Sequence, residues 1–161
     1  MLSQESLADR DRGLEFMAQA RAIWLRKRAF FLIPVTDVWA ARELARRGDR
    51  GAAIDQMRDA VDELRQMGHV FYGFWATGVF VEALLQRRDD GDLVEAHAAI
   101  NEMAVLTSGA AMCDVTVLRL RALLAYARSD DSTYRDCRDR YRSMVSSLGF
   151  EQHSTWADEM P

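Results

Sequence analysis

Three short basic-acidic stretches divide this chain at equal intervals: Arg46-Arg-Gly-Asp49, Arg87-Arg-Asp-Asp90 and Arg128-Ser-Asp-Asp131. Their first arginines stand at 46, 87 and 128, a spacing of 41 residues both times. Each stretch follows one apolar-periodic run and precedes another, so the repeating unit reads as a helix, an acidic turn and a second helix. Such a unit cannot bury its apolar face alone and gains stability by stacking on its neighbours.

Only two prolines interrupt the chain, Pro34 and the last residue, so helices are permitted almost throughout. Residues 4 to 28 predict a first helix on Phe16, Ala20, Ile23 and Trp24 with a polar, fraying start, and Ala29 to Ile33 a buried helix or connector broken by Pro34. Thr36 or Asp37 is the expected cap of a second helix built on Val38, Ala41, Leu44 and Ala45 and stopped at Gly48-Asp49. The third has the cleanest stripe, Ala53, Ile54, Met57, Ala60, Val61, Leu64 and Met67, closed by Gly68.

Val70 to Val81 then runs without a charge and is apolar on all sides, with Phe71, Phe74, Trp75 and Gly78 on one face and Tyr72, Ala76, Val79 and Phe80 on the other. Such a helix needs cover all round, and it falls short of the ~20 apolar residues of a bilayer span. Gly73 and Gly78 read as places where neighbouring helices approach closely. Asp92 with Glu95 reads as a capping box for a fifth helix on Leu93, Ala96, Ile100 and Met103, which ends at the loop Thr107-Ser-Gly-Ala110. A sixth helix over 112–128 is apolar on two sides, through Val115, Leu118 and Ala122 and through Val117, Leu120 and Leu124. A seventh carries Tyr134, Cys137, Tyr141, Met144, Val145 and Leu148 to Gly149, and the tail from Phe150 holds an amphipathic turn or two anchored by Trp156.

The period exceeds the ~34 residues of a tetratricopeptide repeat, lies nearer the ~40 to 47 of longer helical repeats, and lacks the Trp-x-x-Leu-Gly-x-x-Tyr pattern. The expected fold is therefore all-α: a tetratricopeptide-like stack of antiparallel helical hairpins, about seven helices in a right-handed solenoid. It is expected to form one domain over 1–161, with an N-terminal helix and connector at 1–33, hairpins at 34–69, 70–108 and 109–149, and a C-terminal cap at 150–161.

With 161 residues, 49% hydrophobic and 29% charged, the chain suits one globular domain with its own core. A net charge of -4 and a pI near 5.4 argue against a nucleic-acid or anionic-membrane partner, because such surfaces need clustered positive charge. All its basic residues but Lys27 are arginine, a bias that points to a GC-rich genome. Cys113 and Cys137 form no Cys-x-x-Cys pair, which fits a reducing cytoplasm. The first ten residues lack the basic and apolar regions of a secretory signal.

No residue pattern builds a catalytic, cofactor or metal site. His97 beside Glu95 offers a base in principle, yet a half-buried packing side chain explains it, and His69 and His153 are isolated from it and from each other. Cys137 lies on an apolar stripe and reads as packing. A phosphate-cradling loop is excluded, since Lys27 follows Arg26 and Gly78 leads into Val79. Arg26-Lys-Arg28 and the face of Arg135, Arg138 and Arg142 are basic; Asp136, Asp139 and Arg140 surround the latter with helix-surface ion pairs, so both read as solvated faces. The aromatic group at 71, 72, 74, 75 and 80 lines either a core or an apolar pocket.

From Pro34 onward the chain resembles the C-terminal helical region of actinobacterial, especially mycobacterial, multidomain signalling proteins. In these, an adenylate/guanylate cyclase or helix-turn-helix regulator domain is joined to an AAA-type ATPase domain and then to tetratricopeptide-like repeats. The resemblance lies in Pro34-Val-Thr-Asp-Val-Trp-Ala-Ala-Arg42, Ala76-Thr-Gly-Val79 with Val81-Glu-Ala-Leu-Leu85, and Leu118-Arg-Leu-Arg-Ala-Leu-Leu124. It continues through Tyr134-Arg-Asp-Cys-Arg-Asp-Arg-Tyr-Arg142, Ser147-Leu-Gly-Phe-Glu151 and Trp156-Ala-Asp-Glu-Met-Pro161. It implies a non-catalytic, cytoplasmic module without cofactor, whose partner is a protein or a covalently linked cyclase/ATPase domain. The alternative is a small-ligand sensor with an apolar pocket beside the aromatic helix.

Overall fold

A computed structural model of the chain describes residues 7–107 and 109–161, in which eight helices follow one another and no strand occurs among the described residues. They are α1 (Leu7–Lys27), α2 (Leu32–Arg46), α3 (Arg50–Gln66), α4 (Val70–Arg87), α5 (Asp92–Leu106), α6 (Ala111–Ala127), α7 (Asp131–Leu148) and α8 (Glu151–Asp158). The three acidic turns fall where the repeat puts them, between α2 and α3, α4 and α5, and α6 and α7. The extra helix is the tail around Trp156. The expected polar start at 4–6, and Ser108 of the 107–110 loop, lie outside the described residues. Two compact units divide at Ala83 and Leu84, within the span of α4.

In the first unit α1 lies on α2 and α2 on α3. Phe16 and Ile23 are exposed, and Ala20 and Trp24 half-buried, so α1 owes part of its attachment to ions. Arg10 Nε donates to Glu43 Oε1 at 2.8 Å, Arg47 Nε donates to the same oxygen at 3.1 Å, and Arg47 also meets Asp11 at 2.7 Å. Burial pushes the Glu43 carboxyl up, but the Arg10 and Arg47 guanidiniums outweigh it and hold the group below its ordinary value.

α2 begins earlier than the sequence predicts. Phe31 is its N-cap without a side-chain bond, and Pro34 is buried in the first turn, where a missing N–H costs nothing because those donors have no helical partner. Pro34 therefore lies inside the helix and does not break the chain. Neither Thr36 nor Asp37 caps it: Thr36 Oγ1 donates to the carbonyls of Leu32 and Ile33, and Asp37 accepts from Arg21 Nε at 3.0 Å.

α3 buries Ala53, Ile54, Met57, Ala60, Val61 and Leu64 as its stripe requires, while Met67, at the C-cap, is exposed. Asp49 caps its start, accepting from the Ala52 N–H at 3.4 Å. Gly68 closes it at φ +71°, and the His69 N–H reaches back to the Leu64 carbonyl at 3.1 Å, the bond that ends a helix on a left-handed residue. α4 follows, and its cover is uneven. Phe74, Ala76, Gly78, Phe80 and Val81 are buried, whereas Val70 is exposed and Phe71 is 65% exposed. An added Cβ at Gly73 would meet Leu64 Cβ at 3.9 Å, an ordinary contact, so the close approach expected there leaves room for a methyl.

In the second unit α5 lies on α6, α6 on α7 and α7 on α8. Gly91, at φ +89°, is the N-cap of α5, and Asp92 is its first residue, not its cap. Asp92 points backward instead, accepting from the Asp89 N–H at 2.8 Å and from Arg87. Ala96, Ile100 and Met103 are buried and Leu93 is half-buried. Both apolar sides of α6 are covered: Val115, Leu118, Ala122, Val117, Leu120 and Leu124 are all buried. Along α7, Tyr134, Cys137, Tyr141 and Val145 are buried, Met144 is half-buried and Leu148 exposed, and Gly149 ends the helix at φ +67°. Ala157 of α8 joins Val115, Leu118, Tyr141 and Val145 in one core cluster.

Candidate functional site

An exposed apolar surface of the first unit forms where two connections meet. The turn after α1 ends on Phe31, whose ring lies 4.8 Å from His69 and 5.8 Å from Tyr72, so residues 28–31 rest against the start of α4. Around this stack Phe30, Met67, Val70 and Phe71 are exposed. Phe71 in turn meets the Trp75 ring edge-on at 6.3 Å, and Trp75 meets the buried Phe74 at 5.5 Å, which anchors the surface ring in the core. Contiguous exposed apolar groups of this kind mark interaction sites on folded proteins.

The same end carries Arg26, Lys27 and Arg28, all exposed, and their side chains make no hydrogen bond or ion pair among the described residues. Most other arginines are engaged. Arg21 holds Asp37, Arg58 holds Asp55, Arg65 holds Asp62, and Arg128 donates to the Leu93 carbonyl. Arg28 sits at φ +56° with the Ala29 N–H bonded to the Trp24 carbonyl at 3.0 Å, so a non-glycine residue terminates α1 in the left-handed region.

The remaining candidates are structural. His97 is exposed, not half-buried, and its Nε2 lies 3.2 Å from Asn101 Nδ2. Burial raises the Cys137 thiol above its ordinary value, followed by the Asp136 charge; at Cys113 burial likewise outweighs the hydrogen bond with Thr107. The basic face of α7 is occupied: Arg138 meets Asp139 at 2.9 Å, Arg140 meets Asp136 at 3.4 Å, and Arg142 donates to the Ala157 carbonyl at 3.0 Å. Among the described residues no group of three His, Cys, Asp or Glu could hold a metal ion, and no helix is long and apolar enough to cross a membrane.

His153, read from sequence as a tail residue, is buried. Its Nδ1 lies 2.9 Å from Tyr141 Oη, which donates to the His153 carbonyl at 3.1 Å. With the one phenolic proton given to the carbonyl, the ring nitrogen serves as donor to the phenol oxygen. Trp156 packs edge-on to the imidazole at 5.0 Å and takes the Arg119 guanidinium over its own ring at 4.7 Å. Burial, then the Arg119 charge, holds the imidazole below its ordinary value. These groups satisfy one another and fasten α8 to α7. A groove of about 350 Å³ on the first unit is lined by Arg21, Asp37, Ala40, Gln56, Asp59, Ala60 and Glu63, with no residue of the aromatic helix among them.

Comparison with family models, with curated proteins and with solved structures gives no match to this chain.

Proposed function

We propose that this chain is a non-catalytic helical-repeat module for protein-protein interaction or regulation in cytoplasmic signalling. The model for it is the C-terminal region of cyclase/ATPase-type regulators that the sequence resembles. The observation that carries this reading is the surface of Phe30, Met67, Val70 and Phe71, apolar side chains presented to solvent at helix ends. The two buried or half-buried thiols, raised by burial, fit a chain that keeps its cysteines reduced. The partner is a protein, or a cyclase or ATPase domain on the same polypeptide in related proteins; neither nucleic acid nor a membrane is assigned.

The test compares the chain with Phe71→Asp in capture from native cytoplasm, followed by reconstitution with each purified candidate. Binding that Phe71→Asp abolishes, with the helical signal unchanged, is the expected result. Equal binding by the variant, combined with a metabolite that stabilises the chain by the ~2.7 kcal/mol due at 100 times its Kd, would replace this reading with that of a ligand sensor.

A further inference from the structure

The surface that supports the interaction reading also has a stated chemistry, and its complement lies on this same chain. Arg26, Lys27 and Arg28 stand unpaired among the described residues beside the exposed Phe30 and Phe71. A group that covers the rings must also approach three cations, so it needs carboxylates next to apolar side chains.

The second unit presents that combination at the end bearing the acidic turns. Arg128 Nη2 donates to the Leu93 carbonyl at 2.9 Å, which fixes the end of α6 beside the start of α5. Near this junction Val94, next to Leu93, is 71% exposed, and Tyr126, two residues before Arg128 and packed on Tyr134, is also exposed. Asp90 from the turn before α5 and Asp131 from the turn after α6 flank the junction; both are exposed, and neither carboxylate has a partner among the described residues. Of the arginines at this end, Arg87 is paired with Asp89 and Asp92, while Arg88, Arg128 and Arg135 bond the carbonyls of Leu85, Leu93 and Asp131; against these four cations stand Asp89, Asp90, Asp92, Asp130 and Asp131, which leaves the end acidic by one charge.

We propose that the basic aromatic end of the first unit binds the acidic apolar end of the second unit of another copy of this chain. It rests on the interaction-module reading and specifies its partner as the chain itself. The contact joins two different surfaces of the chain. Charge contributes both attraction and register, and the apolar groups on the two sides lose water together.

Sedimentation velocity of the full chain at low salt, from micromolar to millimolar concentration, should show mass rising with concentration and falling back as salt screens the charges. The double variant Arg26→Glu with Lys27→Glu, and the double variant Asp90→Lys with Asp131→Lys, should each remain monomeric, because each brings like charges together. An equimolar mixture of the two should associate again, since each reversed end now meets an opposite one. Circular dichroism checks that both variants fold. A wild type that stays monomeric throughout, or a mixture that stays monomeric, overturns the self-contact. That outcome leaves the interaction-module reading to the Phe71→Asp capture, and anionic vesicles or an acidic protein seated on the basic end of a monomeric wild type would assign the surface to that occupant instead.

Discussion

Arg87 holds Asp92 across the turn from α4 to α5 by two parallel hydrogen bonds, Nη2 to Oδ1 at 2.6 Å and Nε to Oδ2 at 3.0 Å. The carboxylate is 2% exposed and also accepts the Asp89 N–H, so one side chain serves both a half-buried cation and the backbone of the turn. Asp92→Ala removes the clamp and the acceptor for the Asp89 N–H while Arg87 keeps Asp89 at 3.2 Å, and is expected to cost about 1 to 3 kcal/mol in urea unfolding. A loss within the ~0.5 kcal/mol of ordinary surface changes would show that the turn holds without the pair.

Acid should weaken the fold in two steps. His153 is held below its ordinary value in the folded chain, so the unfolded chain binds its proton more readily; this stability is present above about pH 6.5 and is lost as pH falls below it. Glu43 is also held low, so its contribution is present above about pH 4.5 and is lost as pH falls through the folded value. His153→Phe should flatten the slope of stability between pH 7 and pH 5.5 relative to wild type. An unchanged slope would remove His153 from the account.

The two glycines of α4 are expected to respond in opposite directions. At Gly73 a methyl fits, and Gly73→Ala should stabilise by about 0.5 to 1 kcal/mol through helix propensity. Gly78 is buried among covered residues of the helix, so Gly78→Leu should overpack and cost about 1 to 3 kcal/mol. Chemical denaturation of the two variants side by side decides, and a stabilising Gly78→Leu would mean the site has room.

Duplex DNA should bind weakly. Three unpaired cations at one end can neutralise about three phosphates, giving a salt slope near −2.7 and affinity no tighter than the non-specific ~10⁻⁴ to 10⁻⁶ M at ~150 mM salt. Nanomolar, sequence-selective binding in a titration would contradict the protein-interaction reading.

The purified chain is expected to turn over no ATP or GTP. Phosphoryl chemistry needs carboxylates that hold a metal against the phosphates and basic groups that absorb developing charge. Asp49 and Asp130 are here engaged as helix caps, Asp92 as a turn clamp, and Asp55 and Asp62 in pairs on the outer face of α3. Cyclic nucleotide and free phosphate are to be measured with Mg²⁺ and Mn²⁺ at high protein concentration. Turnover that follows the chain through purification and vanishes on changing one Asp or Glu would make it an enzyme.

Where a feature depends on spacing within one helix, the sequence is a good guide: the stripe of α3 from Ala53 to Leu64, the two covered sides of α6 and the Gly149 terminus stand where periodicity puts them, and only Met67 at the end of the stripe is exposed. Features that depend on a second element were hidden. Tyr141 and His153 are 12 residues apart and meet only because Gly149 turns α8 back onto α7. Phe71 reads as covered because its helix carries no charge, and its exposure follows from its place in the first turn, beyond the packed length of α4. Arg28, Arg88 and Ser129 occupy the left-handed region at φ +56°, +58° and +57°, where a reader looks for glycine or asparagine. The basic triplet is legible as residues, but its lack of partners is a property of the fold.

Within the two units the packed pairs α1 with α2, α2 with α3, α5 with α6, α6 with α7 and α7 with α8 are each consecutive in the chain. The connections between them are short, so little loop entropy opposes their meeting, and contacts of small sequence separation go with fast folding. During synthesis α1, α2 and α3 therefore have one another as packing partners before α5 to α8 are made.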